Sequence, residues 1–187
     1  SLEWLSHVLA EDPGHLVAPL GDMPHGPSSV RFLPYLSGER TPHNDVAIRG
    51  AFTGLDSATG RVDMTQAVLE GVAFSFKDCM DVLTMPLAEP RRLIAVGGGS
   101  RSRYWLRVIA TVLNLPIAVP EDGDFGAAFG AARLGLIAAE GADPFAVCAP
   151  PAIREVIEPI PDLVEAYAAA HAAYSRLYPA LKEATPR

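Results

Sequence analysis

A short apolar run that passes directly into a glycine-rich turn constrains the fold of this chain more than any other feature. Residues 92–96 have the length and apolar character of a strand, and residues 97–100 read GGGS. A helical pattern begins at Ser102, a second short strand is predicted at residues 117–119, and another helix at residues 125–140. Together with the strand predicted at residues 50–55 and the helix after it, these strands alternate with helices through short connections, which predicts parallel pairing with right-handed crossovers. The sequence therefore predicts an α/β fold.

Three other segments have apolar residues at helical spacing. The first covers residues 1–10. In the second, Asp63 is a natural N-cap, Gln66 follows three residues later as in a capping box, and Met85-Pro86 ends the helix. The third begins at residues 161–162 and carries apolar and tyrosine side chains on one face. Each pattern predicts a helix that buries one side.

The remaining segments divide into strands, connections and one strongly apolar stretch. Residues 31–35 and 50–55 are short apolar runs bounded by proline or glycine, and they predict strands. Residues 13–29 are rich in proline and glycine, which predicts an irregular surface connection. Residues 125–139 are apolar but include Arg133 and many small side chains. That composition predicts a buried helix and not one that crosses a bilayer.

Composition limits the class of protein. The chain has 187 residues, of which 49% are hydrophobic and 20% are charged. This composition is sufficient for one packed domain over residues 1–187.

A net charge of −7 argues against nucleic-acid binding, which requires a basic surface, and no segment predicts a membrane anchor. Cys79 and Cys148 are too few for a disulfide framework, which favours a reducing, cytoplasmic compartment. The opening residues start inside a helical pattern without an initiator Met, which predicts a piece of a longer protein.

The glycine-rich turn is the first candidate site. Gly97, Gly98 and Gly99 stand where a strand ends and a helix begins, the usual place for a ligand in an open α/β sheet. Glycine lets the backbone approach a ligand closely, and the free N–H groups of a helix N-terminus favour anionic or polar ligand atoms. The turn matches neither the Walker A loop nor the GxGxxG pattern. A tight turn without a ligand is the alternative interpretation.

A second candidate is the loop of residues 38–43, which brings together Glu39, Arg40 and His43. The alternative is a surface loop tied by an ion pair worth about 0–1 kcal/mol. Asp122 and Asp124 have the pattern of turn and N-cap residues and not of a metal pair. The sequence offers neither a catalytic base nor a set of metal ligands.

Four blocks of sequence resemble one known protein family. GAFTGL at residues 50–55 and DMTQAVLE at residues 63–70 together match the C-terminal signature of the FGGY carbohydrate kinases at every constrained position. FLPYLSGERTPH at residues 32–43 resembles a block typical of the xylulose kinases in that family. GGGSRSRYW at residues 97–105 is similar to the adenosine-contacting segment, and GAAFGAAR at residues 126–133 to the small-residue helix after it. The chain is identified as a member of this family.

The resemblance implies the actin-like, ribonuclease H-like fold of sugar kinases. This chain would be the C-terminal, nucleotide-side lobe, a mixed sheet with flanking helices that lacks its leading strands. In the family, two lobes close on ATP, Mg²⁺ and a sugar, and xylulose kinases convert D-xylulose to D-xylulose 5-phosphate. The family's paired glycines lie against the adenosine, which assigns that role to Gly97 and Gly98, with Gly99 beside them. Ser102 takes the polar position near the base, where some relatives carry the longer asparagine.

The resemblance also implies what the chain lacks. The family's general-base aspartate, sugar-binding residues and phosphate-contacting hairpin all belong to earlier positions, so no catalytic residue is assigned here. The chain alone is therefore expected to be inactive and to bind ATP weakly, if at all. Without its leading strands the sheet has an open edge, which predicts a homo-oligomer.

Two alternatives to a xylulose kinase stay open at this point. Gluconate, glycerol, ribulose and fuculose kinases share the fold, so the sugar is assigned by resemblance alone. A stand-alone nucleotide-binding or interaction module without catalysis is the other alternative. The expected partners are ATP, the sugar and the missing N-terminal lobe.

Overall fold

The computed structural model describes residues 1–84, 90–121, 123 and 126–184. The α-helices are α1 (Leu2–Leu9), α2 (Pro13–Val17), α3 (Arg61–Thr84), α4 (Arg103–Leu113), α5 (Gly126–Glu140), α6 (Pro144–Val147), α7 (Pro161–Ser175) and α8 (Leu177–Ala184). The strands are β1 (Arg31–Leu33), β2 (Ala51–Thr53), β3 (Leu93–Ile94), β4 (Ile117–Pro120) and β5 (Ile153–Ile157). The chain is thus a mixed α/β protein, as the sequence predicted.

The strands form two separate sheets. β3 pairs parallel with β4, which confirms the predicted strand–helix–strand unit around α4. β5 pairs antiparallel with β4, so the three-stranded sheet is mixed. The prediction that the strand at residues 50–55 joins this parallel series is wrong, because β2 pairs antiparallel with β1 in a sheet of two. Element order predicts parallel pairing only between strands that share a sheet.

The start of α3 differs from the predicted one. The helix begins at Arg61, and Asp63 lies in its first turn, where its Oδ2 accepts a hydrogen bond of 2.8 Å from Gly60 N. The side chain of Asp63 therefore accepts a hydrogen bond from the residue just before the helix, and Asp63 is not itself the N-cap. Gln66 does not cap either, since its Nε2 donates to Gly26 O and Glu70 Oε1. The predicted end at Met85-Pro86 lies outside the described residues.

Part of the predicted irregular connection at residues 13–29 is helical. Asp12 Oδ1 accepts a hydrogen bond of 2.7 Å from Gly14 N, which caps α2, and Pro13 occupies the first turn. A single 3-10 turn, Ala18–Leu20, follows. Proline is favourable at the first position of a helix because that N–H has no partner there. A high proline content therefore does not exclude a short helix.

A buried carboxylate ties the segment before β1 to α3. Glu70 is 1% exposed, and its two oxygens accept hydrogen bonds of 3.1 and 3.0 Å from Ser28 N. Gln66 Nε2 donates to Glu70 Oε1 at 2.8 Å, and Tyr167 OH donates to the same oxygen at 3.3 Å. Burial raises the pKa of Glu70 to about 7, because the charged form is costly to remove from water. Glu70 thus joins α3, α7 and the approach to β1.

The helix predicted at residues 125–140 is present as α5, but the prediction that it is buried is wrong. None of the described residues of α5 is buried, and Phe129 and Leu134 are 46% and 67% exposed. Among the described glycines of α5, only the one in the first turn comes close to another part of the chain. A Cβ atom on Gly126 would lie 3.6 Å from Val96, whereas one on Gly130 would meet nothing within 4 Å. Among the described helices, none is both long and apolar enough to cross a membrane.

The C-terminal helical pattern forms two helices. α7 ends at Ser175 and α8 begins at Leu177. The face predicted for burial is confirmed in α7, where Tyr167, Ala170 and Tyr174 are buried. These side chains pack with α3 and α4 in the larger of two apolar clusters, and α1, α2, β1 and the first half of α3 form the smaller one.

Candidate functional site

The glycine-rich turn joins the end of β3 to α4, as predicted. Gly97 has a φ of 86°, in the left-handed region that favours glycine. Its N–H donates to Gly123 O at 2.8 Å, and its carbonyl accepts from both N and Oγ of Ser100 at 3.0 and 2.7 Å. The turn continues as the 3-10 helix Gly98–Arg101. Gly97 is therefore required by backbone conformation.

The next two glycines differ in what surrounds them. A Cβ atom on Gly99 would lie 2.3 Å from Trp105 Cζ3, so a side chain does not fit there. A Cβ atom on Gly98 would meet nothing within 4 Å. No contact within the described chain explains a glycine at position 98. The open space over Gly98 is the place where a ligand could approach the backbone.

Ser102 begins α4. Its Oγ accepts a hydrogen bond of 3.2 Å from Trp105 N, the contact typical of an N-cap. The hydroxyl can still donate its own hydrogen to a ligand. Ser102 lines the same cleft as Gly98 and Gly99, whereas Gly97 lies beside the cleft. The structure thus brings three of the four sequence-predicted site residues to one surface.

That surface is one wall of a cleft of about 860 Å³. The other walls are formed by α1, α2 and the middle of α3, with Leu2, Glu3, Gly14, Val68 and Val72 among the lining residues. Sequence reasoning missed all of these. The available signal was the apolar face of α1, which predicts packing but not against which element. Small-molecule sites typically have volumes of about 300–1,000 Å³, so the cleft has room for a nucleotide.

Charges of both signs surround the cleft. Arg101 and Arg103 lie at the α4 end, together with the free N–H groups of the helix N-terminus, and Glu3 and Asp22 lie across from them. Arg103 pairs with Glu155 at 3.0 Å, and both side chains are partly exposed. Anionic groups of a ligand are favoured at the α4 end, and hydroxyl or amino groups on the acidic side.

The second sequence candidate, the loop of residues 38–43, lies away from the glycine turn. Glu39 Oε2 accepts a hydrogen bond of 2.8 Å from His43 N, and the Glu39 backbone pairs with Asp45. The His43 ring stacks on Tyr178 with ring centroids 3.6 Å apart. Neither Glu39 nor Arg40 lines the cleft. These contacts support the alternative interpretation of a structural loop, but hydrogen bonds and ring stacking hold it, instead of the predicted ion pair.

Potential metal ligands are not clustered in the described part of the chain. Among the described residues, no group of three or more His, Cys, Asp or Glu side chains is placed to hold a metal ion. Asp122 and Asp124 lie outside the described residues. The described residues around the cleft therefore supply no set of metal ligands.

Comparison with known proteins identifies the family. The domain model of the FGGY family of carbohydrate kinases, C-terminal domain, matches residues 11–139. The chain belongs to this family. A xylulose kinase from Klebsiella pneumoniae is 37% identical to this FGGY domain over 185 residues, which cover 97% of the present chain and 38% of that protein.

Solved structures confirm the fold of the FGGY domain. A structure described as a xyloylose kinase from Brucella ovis is 56% identical, with a TM-score of 0.90 over 98% of this chain and 38% of the other. A gluconate kinase from Lactobacillus acidophilus is 28% identical, with a TM-score of 0.77 over 96% of this chain and 37% of the other. The chain thus spans less than two fifths of these relatives. Its fold is that of a sugar-kinase C-terminal lobe of the actin-like ATPase class, as predicted.

Proposed function

We propose that this chain is the nucleotide-side lobe of an ATP-dependent xylulose kinase, which transfers the γ-phosphoryl group of ATP to D-xylulose and forms D-xylulose 5-phosphate. Gly97, Gly98, Gly99 and Ser102 are assigned to the adenosine end of ATP. The observation that supports this assignment most strongly is Gly98, which lies in the turn between β3 and α4 and faces open space in the cleft. Backbone atoms there can lie against a nucleoside without an intervening side chain.

Phosphoryl transfer depends on positioning of the reactants and on stabilisation of charge around the γ-phosphate. In this proposal the lobe supplies positioning. The glycine turn, Ser102 and the α3 wall hold the nucleoside end of ATP. Mg²⁺ arrives bound to the phosphates, as it usually does in kinases. The general base and the sugar site are assigned to chain beyond these 187 residues.

The sugar is assigned by similarity to xylulose kinases. A gluconate kinase with the same fold makes gluconate the second candidate sugar. A substrate panel of xylulose, gluconate, glycerol, ribulose and fuculose, applied to a complete kinase with this lobe, separates the two. Xylulose is expected to give the highest kcat/KM. A non-catalytic module would phosphorylate none of the five. A cytoplasmic location is part of the proposal, supported by the free thiols of Cys79 and Cys148.

The 187-residue chain alone is expected to bind MgATP weakly, with a Kd of about 1 mM, and to transfer no phosphoryl group to xylulose. Amide chemical shifts measured during a MgATP titration are expected to change first at Gly98, Gly99 and Ser102. Shifts confined to other parts of the chain would contradict the assigned site. Xylulose phosphorylation by this chain at an ordinary kinase rate of ~1–100 s⁻¹ would show that the missing groups are not required.

An apolar surface surrounds β3. β3 is an edge strand in the described sheet, and a groove of about 520 Å³ lies between it, α3 and α4. Ile94 and Val96 are 47% and 57% exposed, and Phe76 and Leu83 on α3 are also exposed. Exposed apolar side chains beside an open strand edge favour association. We propose that further kinase chain covers this surface in a complete enzyme and that a second copy covers it when the chain is alone.

This proposal predicts a dimer or higher oligomer of the 187-residue chain in sedimentation at about 100 μM. Ile94→Lys is expected to yield a monomer, because a charge on the strand edge opposes edge-to-edge pairing. Val46→Lys is the matched control, since Val46 is 80% exposed in a loop outside the groove. The control should associate like the unmodified chain. A monomeric unmodified chain at that concentration would refute the proposed interface.

A further inference from the structure

The glycine turn rests on one aromatic side chain, Trp105. A Cβ atom on Gly99 would lie 2.3 Å from Trp105 Cζ3 and 3.1 Å from Trp105 Cε3. The six-membered ring of the indole therefore lies directly against the backbone of Gly99. No side chain fits between the two.

The indole is held in place from α3. Trp105 Nε1 donates a hydrogen bond of 3.1 Å to Leu69 O, in the middle of that helix. The Phe76 ring lies against the indole, with centroids 6.3 Å apart. Leu69 lines the same cleft as Gly98 and Gly99. Trp105 therefore connects the two facing walls of the cleft, the turn and α3.

A second contact links Trp105 to the turn. Trp105 N donates to Ser102 Oγ at 3.2 Å. The ring lies under Gly99 while the backbone N–H holds the side chain of Ser102. Two of the assigned nucleotide residues are thus in direct contact with this one tryptophan. Because the indole is also bonded to α3, it cannot turn away without loss of the hydrogen bond to Leu69.

We propose that Trp105 is a positioning residue of the nucleotide site, which sets the distance between the glycine turn and the α3 wall. The inference rests on the proposed function, since it assigns a role in nucleotide affinity. It explains why position 99 carries glycine although its φ lies outside the left-handed region. Position 99 must be glycine because the indole of Trp105 leaves no room for a side chain there. The indole in turn holds the glycine turn in place against α3.

The test is a double-mutant cycle on MgADP affinity in the 187-residue chain. Trp105→Leu is expected to weaken binding about fivefold and Gly99→Ala about tenfold, because each displaces the turn from α3. In the double variant the alanine methyl group occupies the space left by the indole. Gly99→Ala is therefore expected to cost less than about twofold when Trp105 is already leucine.

A purely structural role for Trp105 would lower the melting temperature without coupling the two substitutions in affinity. Losses that multiply to about fiftyfold in the double variant would overturn the inference and leave the proposed function intact. An unmodified chain that shows no MgADP binding up to several millimolar would contradict the expected Kd of about 1 mM and overturn the assignment of the glycine turn, and with it the role of Trp105. Trp105→Phe keeps a ring but loses the donor to Leu69 O, and it should lie between Trp105 and Trp105→Leu in affinity. It also replaces Trp105→Leu in the cycle if the leucine variant does not fold.

Discussion

Replacing Gly71 by alanine is expected to lower the free energy of unfolding by about 3 kcal/mol, which corresponds to a fall of roughly 6–12 °C in Tm. Gly71 is buried in α3, where a Cβ atom would lie 2.2 Å from Phe32 O and 3.1 Å from Phe32 C. Both are backbone atoms of β1 and cannot rotate away. The added methyl group must therefore push β1, a strand of the smaller sheet, away from α3.

The matched control is Gly135→Ala in α5. Gly135 is also inside a helix, but a Cβ atom there meets nothing within 4 Å. Alanine is favoured over glycine in a helix by about 0.5–1 kcal/mol, so this variant should be slightly more stable than the unmodified chain. Thermal unfolding of both variants gives the comparison. A Gly71→Ala variant that gains stability like Gly135→Ala would show that β1 does not approach α3 as closely as described.

The sequence was sufficient to predict the unit on which the site is built. The apolar residues before Gly97 and the helical pattern that begins at Ser102 predict β3, the turn and α4, and all three are found. These features depend on local physical chemistry. A short strand needs an apolar run, and an amphipathic helix needs apolar residues at helical spacing. Local rules therefore gave the position of the candidate turn.

The remaining walls of the cleft could not be predicted in this way. Leu2 and Glu3 lie on a helix whose pattern was recognised, but a helical period does not say which element the helix faces. The same limit applies to Gly71 and Gly99. Their need for glycine comes from Phe32 and Trp105, and only the folded structure brings those residues into contact.

The exposure of α5 shows a further limit of sequence patterns. Phe129, Leu134 and Leu136 gave the segment the composition of a buried helix, yet all three are exposed in the described chain. Composition predicts a preference for burial but does not supply the surface that covers a helix. The exposed apolar residues near β3 likewise have no covering surface in the described chain. For that reason we expect the isolated chain to self-associate.

Replacing Gly98 by valine is expected to weaken MgATP binding at least about thirtyfold, the largest effect on affinity that we predict. The side chain would project into the open space of the cleft, where its Cβ atom meets nothing in the described chain within 4 Å. The fold should therefore be unchanged, while the nucleoside loses its close approach to the backbone. Melting temperature is expected to stay within a few degrees of that of the unmodified chain.

The most direct measurement is a calorimetric or chemical-shift titration of MgATP into the unmodified chain, Gly98→Val and Gly135→Val. Gly135→Val adds the same side chain at another open glycine, outside the cleft. We predict that only Gly98→Val loses MgATP binding and that both variants stay folded. Equal affinity of all three chains for MgATP would contradict the assignment of this turn to the nucleotide.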